Sequence, residues 1–197
     1  LLLRRRQLHC DGISDGRLCR FEQRRTDPQP MAQLTIYVAG SFKHKHGVRL
    51  LGRELRAMGC RMLDWTDKAV PPPGLTPAER RIWMDTDRDG GEVYAFCHHA
   101  CLTADMVIYY GASGQDAGVE VGLAAGAGVP LLGIRGPLEG PGLMLHGAVN
   151  GWVDSVEDAL ETVAALLAYV ESGWKDFEAE GNPVLRRLGA KLRERLG

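Results

Sequence analysis

The sequence predicts an α/β domain of the doubly wound kind: a mainly parallel, five-stranded sheet with helices on both faces. Three observations predict it. Short apolar runs alternate with longer amphipathic segments from Leu34 to Val170. The first of these runs is apolar on both faces, as a strand covered by helices on each side requires. Two of the runs lead straight into glycine-containing turns, at Gly40-Ser41 and from Gly111 to Gly118.

The elements follow in order. Residues 34–39 (LTIYVA) read as a central strand that ends at the tight turn Gly40-Ser41. Val48, Leu51, Leu55 and Met58 recur at helical spacing, and Gly59 stands where a C-terminal cap is needed. Residues 60–65 (CRMLDW) give the next strand and complete a β-α-β unit, a connection that is nearly always right-handed. The proline-rich stretch 66–75 is a loop. Thr76-Pro77-Ala78-Glu79 then has the cap, the proline and the glutamate of a capping box, so a helix starts there. Residues 85–91 (DTDRDGG) are polar and turn-rich, and 92–102 suit a helix.

A third strand falls at 105–110 (DMVIYY), a glycine-rich loop at 111–118 (GASGQDAG), a small-residue helix at 119–127 and a fourth strand at 129–134 (VPLLGI). A Gly/Pro-rich loop covers 135–142, and Trp152-Val153 begin a short fifth strand. Ser155, with Asp158 three residues on, opens a helix running to about Val170. A charged segment after Gly173 leads to an amphipathic helix at 184–196. This is a flavodoxin-like or Rossmann-like alternation. The chain divides into an extension at 1–30, the α/β domain at 31–172 and a charged amphipathic terminal region at 173–197.

Composition narrows the function. A net charge of -1 gives no electrostatic footprint for a nucleic acid polymer or an anionic membrane. No apolar run approaches the roughly 20 residues of a membrane span. The 5 cysteines are odd in number and not spaced as in a small secreted scaffold, which predicts free thiols and a cytoplasmic protein. The extension opens LLLRRRQLHC, with leucines before arginines, the reverse of a signal peptide. It reads as a disordered segment upstream of a start at Met31; the alternative is a basic arm for an acidic partner.

Ligands of open parallel sheets sit beyond the carboxyl ends of the strands. Two loops are placed for this: Gly40-Ser41-Phe42, and Ser113 to Gly118. Glycines let backbone N–H groups approach a ligand, and a helix start adds free donors for a phosphate or sugar hydroxyls. Ser41 and Ser113 can add hydroxyls, and Lys43 and Lys45 can neutralise a phosphate. Each loop alone is an ordinary β-α turn; the two together are informative. Glu120 falls in the first turn of an otherwise apolar helix. It is either a carboxylate complementing the helix dipole or a nucleophile or base facing the sheet edge; spacing leaves both open. Cys97 and Cys101, one helical turn apart beside His98 and His99, can suggest zinc. No second cluster completes a tetrahedral site, so no metal is expected. Trp65, Trp83 and Trp152 can stack a base but are more simply core residues. The basic terminal helix reads as a docked or oligomer-contacting element.

Ile36-Tyr37-Val38-Ala39-Gly40-Ser41-Phe42, Ala104-Asp105-Met106-Val107, Asp116-Ala117-Gly118-Val119-Glu120-Val121-Gly122 and Gly128-Val129-Pro130 occur in this order. The stretch from Leu34 to Ile134 resembles the nucleoside 2-deoxyribosyltransferase superfamily, which includes nucleotide N-glycosidases. A looser echo lies in Gly142-Leu143-Met144. The resemblance implies that Glu120 is the nucleophile that attacks the anomeric carbon and forms a glycosyl-enzyme. It also implies that Tyr37, Gly40 and Ser41 line a sugar or phosphate pocket, with Ser113, Asp116 and Gly118 on its second loop. The implied ligand is a nucleoside or nucleotide, with no cofactor, and the implied assembly is a homodimer or higher homo-oligomer. The sequence departs from the family in two places. Cys97 stands where an acid normally protonates the leaving base, and the spacing from Asp116 to Glu120 is short. His98, His99, Asp87 and Asp89 are candidate replacements; of these His98 is chosen, because an imidazole titrates near neutrality. A non-catalytic nucleotide-binding module on the same fold is the competing reading.

Overall fold

The computed structural model describes residues 33–85, 89–136 and 140–197. The extension at 1–30 lies outside them, as does Asp87; for Asp89 only the backbone is described. Five strands form one sheet: β1 (Thr35–Ala39), β2 (Arg61–Leu63), β3 (Met106–Tyr110), β4 (Leu131–Ile134) and β5 (Gly151–Val153). Their order is β2-β1-β3-β4-β5 and every pairing is parallel. The expected fold class holds, with a wholly parallel sheet. Ile36 and Tyr37 of β1 and Met106, Val107 and Ile108 of β3 are all fully buried. Consecutive burial of this kind explains why the strands carry no polar alternation.

The helices are α1 (Lys45–Ala57), α2 (Pro77–Asp85), α3 (Asp89–Thr103), α4 (Gln115–Gly126), α5 (Leu143–Ala148), α6 (Val156–Glu171) and α7 (Pro183–Leu196). The step from β1 to β2 runs one way along the sheet, and the steps to β3 and β4 run the other way. Right-handed crossovers therefore place α1 on one face and α3 and α4 on the opposite one. The packing agrees, with α1 against α6 and α3 against α4. Helix α7 packs on α6 and β5, and its Leu188 and Leu192 are fully buried in the same core.

Local signals act as the sequence implies. Thr76 N–H donates to Glu79 at 2.8 Å, and Glu79 N–H donates back to Thr76 Oγ1 at 3.3 Å. Asp158 N–H donates to Ser155 Oγ at 3.0 Å. Gly59 follows α1 with φ +91, the left-handed conformation that suits a glycine cap.

Four elements differ from expectation. Strand β2 has three residues, not six. Asp64 turns the chain by accepting from Thr66 N–H at 3.0 Å, Thr66 Oγ1 at 2.7 Å and Arg56 at 2.7 Å, which opens a 3-10 turn at Trp65–Asp67. Helix α3 starts at Asp89, inside the stretch read as turn. Helix α4 starts at Gln115, inside the stretch read as loop, because Gly114 caps it with extended backbone and Asp116 favours its first turn. The short helix α5 occupies a position for which no helix was expected. Among the described residues, no helix is long and apolar enough to cross a membrane.

Candidate functional site

From β1 the chain turns to β2 on one side, while β3 pairs on the other. This reversal opens a crevice beyond the carboxyl ends of β1 and β3, where parallel α/β sheets bind ligands. A cleft of about 320 Å³ lies there. Its floor is the turn after β1, with Gly40, Ser41 and Phe42. Gly40 is required by close approach, since a Cβ there would lie 2.9 Å from Val48 Cγ2. One wall is α3, through Val93, Tyr94, Cys97 and His98; the other is α4, through Asp116, Val119, Glu120 and Leu123. Trp65 and Trp83 add aromatic surface.

Glu120 is the polar centre of this cleft. Tyr37 Oη donates to Glu120 Oε1 at 2.5 Å, across 83 residues of sequence. Glu120 Oε2 is buried with no hydrogen-bond partner among the described residues. Burial pushes the Glu120 carboxyl up to about 7. The Tyr37 hydrogen bond and the nearby Cys97 thiol pull against that rise, and the charge of Asp116 adds to it. Burial, then the Glu120 charge, raises the Tyr37 phenol far above its ordinary value, so it stays a proton donor. Burial likewise pushes the Cys97 thiol up to about 11, which keeps it neutral beside the carboxyl.

The sequence candidates divide in two. Gly40, Ser41, His98, Asp116 and Glu120 come together as walls of the cleft. Tyr37 is fully buried and acts through Glu120. Ser113 also acts at one remove: its Oγ donates to Tyr110 O at 2.5 Å and accepts from Ser41 N–H at 3.0 Å, tying the two loops together. Gly118 is exposed on α4 and is not part of the cleft wall. Glu120 lies in the second turn of α4, not the first, because the helix begins at Gln115. Asp116 therefore holds the dipole-complementing position, and a simple capping role does not account for Glu120.

Neither Lys43 nor Lys45 lines the cleft; Lys45 Nζ donates to Ala69 O at 3.4 Å. Asp105 is structural: its carboxylate accepts from Thr35 N–H at 2.7 Å and ties the amino ends of β1 and β3, away from the site. Trp65 is both core and wall, with Nε1 donating to Val38 O at 3.0 Å. Trp152 lies elsewhere, stacked on His146 at 6.0 Å. Among the described residues, no three His, Cys, Asp or Glu side chains gather as a metal site.

Among the solved structures that resemble the chain are two enzymes. One is a 2-deoxyribosyltransferase from Bacillus psychrosaccharolyticus, at 17% identity and TM-score 0.47, over 64% of this chain and 90% of that one. The other is the Clostridium botulinum CMP N-glycosidase BcmB, at 12% identity and TM-score 0.44, over 66% of this chain and 97% of that one. No protein-family model and no curated protein sequence matches the chain.

Val93 and Tyr94 were not among the sequence candidates. A usable signal was present: Gly90, Val93, Tyr94 and Cys97 repeat at i, i+3, i+4 and i+7, as do Asp116, Val119, Glu120 and Leu123. Each set is one helix face, and both faces line the cleft.

Proposed function

We propose that the protein is an N-glycosyl hydrolase or transferase acting on a nucleoside or nucleotide, with Glu120 as nucleophile. The observation that carries this is Glu120 itself, with one oxygen held by Tyr37 and the other free, at the centre of an aromatic cleft. The flat aromatic surfaces suit a base, and the carboxylate suits an anomeric carbon. In the first step a Glu120 oxygen bonds to the anomeric carbon as the bond from that carbon to the base nitrogen breaks. The electron pair leaves on the base, which takes a proton from His98. In the second step water or another base attacks the same carbon and gives its proton to His98, the ester breaks and both Glu120 and His98 are restored. Two inversions give net retention. The steps need neither metal nor organic cofactor. His98 lines the same cleft and can supply the proton that Cys97, a neutral thiol, supplies poorly.

The resemblance also favours a homo-oligomer. Leu143 and Met144 at the start of α5 support it, being 92% and 89% exposed although apolar. A monomer by light scattering at micromolar concentration would overturn that part.

The test is base release from a panel of nucleosides and 5′-nucleotides, followed by chromatography, with Glu120→Ala alongside. Release that the variant abolishes is expected. Thermal stabilisation by one of these compounds without release would replace the enzyme with a binding module.

A further inference from the structure

The charge of the cleft distinguishes a nucleoside from a nucleotide, and this inference rests on the reading above. Two carboxylates, Asp116 and Glu120, line the cleft, and among the described residues no lysine or arginine does. Two lysines beside it have partners of their own. Lys45 Nζ is held by Ala69 O. Lys68 lies over the Phe96 ring and lines a neighbouring hollow together with Glu92. In the turn after β1, where a sugar or phosphate pocket was expected, three of the amides are spent internally. Ser41 N–H goes to Ser113 Oγ at 3.0 Å, Lys43 N–H to Ser41 Oγ at 3.4 Å and His44 N–H to Ser41 O at 2.8 Å. At the start of α4, Asp116 in the first turn complements the positive end of the helix.

We infer that the substrate is an unphosphorylated nucleoside, and that the cleft rejects the corresponding 5′-monophosphate through Asp116 and Glu120. A phosphate dianion brought beside half-buried Glu120 and exposed Asp116, with no lysine or arginine of the described residues lining the cleft to offset it, meets like charge. A 5′-hydroxyl carries no charge and can exchange hydrogen bonds with Ser41 or Asp116. Asp116 is the specificity residue in this arrangement, because Glu120 is committed to the anomeric carbon.

The experiment pairs each nucleoside with its own 5′-monophosphate and compares kcat/KM for base release, at low and at high salt. The nucleoside is expected to be preferred by about tenfold or more, with the preference shrinking as salt rises. Asp116→Asn is expected to narrow it several-fold by improving the monophosphate. Equal or better release from the monophosphates would overturn the inference and leave the proposed reaction standing. No release from either compound would instead remove the proposed reaction. Thermal shifts with the same pairs would then decide the inference: stronger stabilisation by the nucleosides upholds it, and stronger stabilisation by the monophosphates, or none by either, overturns it.

Discussion

At Glu120, function and stability oppose each other. Its carboxyl titrates near 4.5 when unperturbed and near 7 in the folded protein, chiefly because of burial. The folded chain therefore holds an extra proton between those values. The stability that this contributes is complete below about 4.5 and lost as pH rises through 7. Glu120→Gln removes the charge and keeps a hydrogen-bonding group for Tyr37. It is expected to lose base release, yet to be more stable than the parent by about 1–3 kcal/mol at pH 8, with the gain fading towards pH 5. Thermal unfolding at the two pH values checks this, and an equal or lower melting point at pH 8 contradicts it. Tyr37→Phe removes the donor that favours the ionised carboxylate. The acidic limb of the pH–rate profile should then move to higher pH by about one to two units, the worth of one hydrogen bond to a charged group.

Two helices build the walls of the cleft, and each does so with one face. On α3 that face carries His98 one position after Cys97, with the His98 ring 5.7 Å from that of Tyr94. If His98 supplies the proton to the leaving base, His98→Ala should lower kcat about a hundredfold or more while changing KM little. A leaving group that needs no proton should recover much of the loss, which a merely structural role would not give. The floor depends on the turn between β1 and α1. Gly40→Ala pushes a methyl group against Val48, one of the residues that seat α1 on the core. The expected cost is about 1–3 kcal/mol by denaturant titration, with a raised KM as the floor shifts.

On the scale of the whole molecule, the terminal helix is part of the core. Leu188 and Leu192 of α7 are buried in one cluster with residues of β1, β3 and β4, although the surface of the helix is basic. Asn182 caps α7 by accepting from Val184 N–H at 2.9 Å, and Pro183 occupies its first turn. Leu192→Ala is expected to cost about 2–5 kcal/mol, the range for a fully buried leucine. It should do so in a single thermal transition that moves as a whole. A separate early transition would mean that α7 melts by itself.

Much of this was legible in the sequence, because the signals are local. A capping box joins residues three apart, a buried parallel strand shows as an unbroken apolar run, and a helix face repeats at three and four. Thr76 with Glu79, residues 34–39 and the stripe from Val48 to Leu55 were sufficient for those elements, and their alternation for the fold class. The starts of α3 and α4 were less legible, since glycines and aspartates that favour a turn also serve as helix caps and first-turn residues. The tertiary structure alone decided which residues meet. Tyr37 reaches Glu120 across 83 residues, and Ser41 meets Ser113 across 72. Those meetings arise because the sheet reverses its strand order between β1 and β3 and brings α3 and α4 over the same crevice. Local spacing along the chain carries no record of that approach, and burial at the crevice, not helix position, sets the charge behaviour of Glu120.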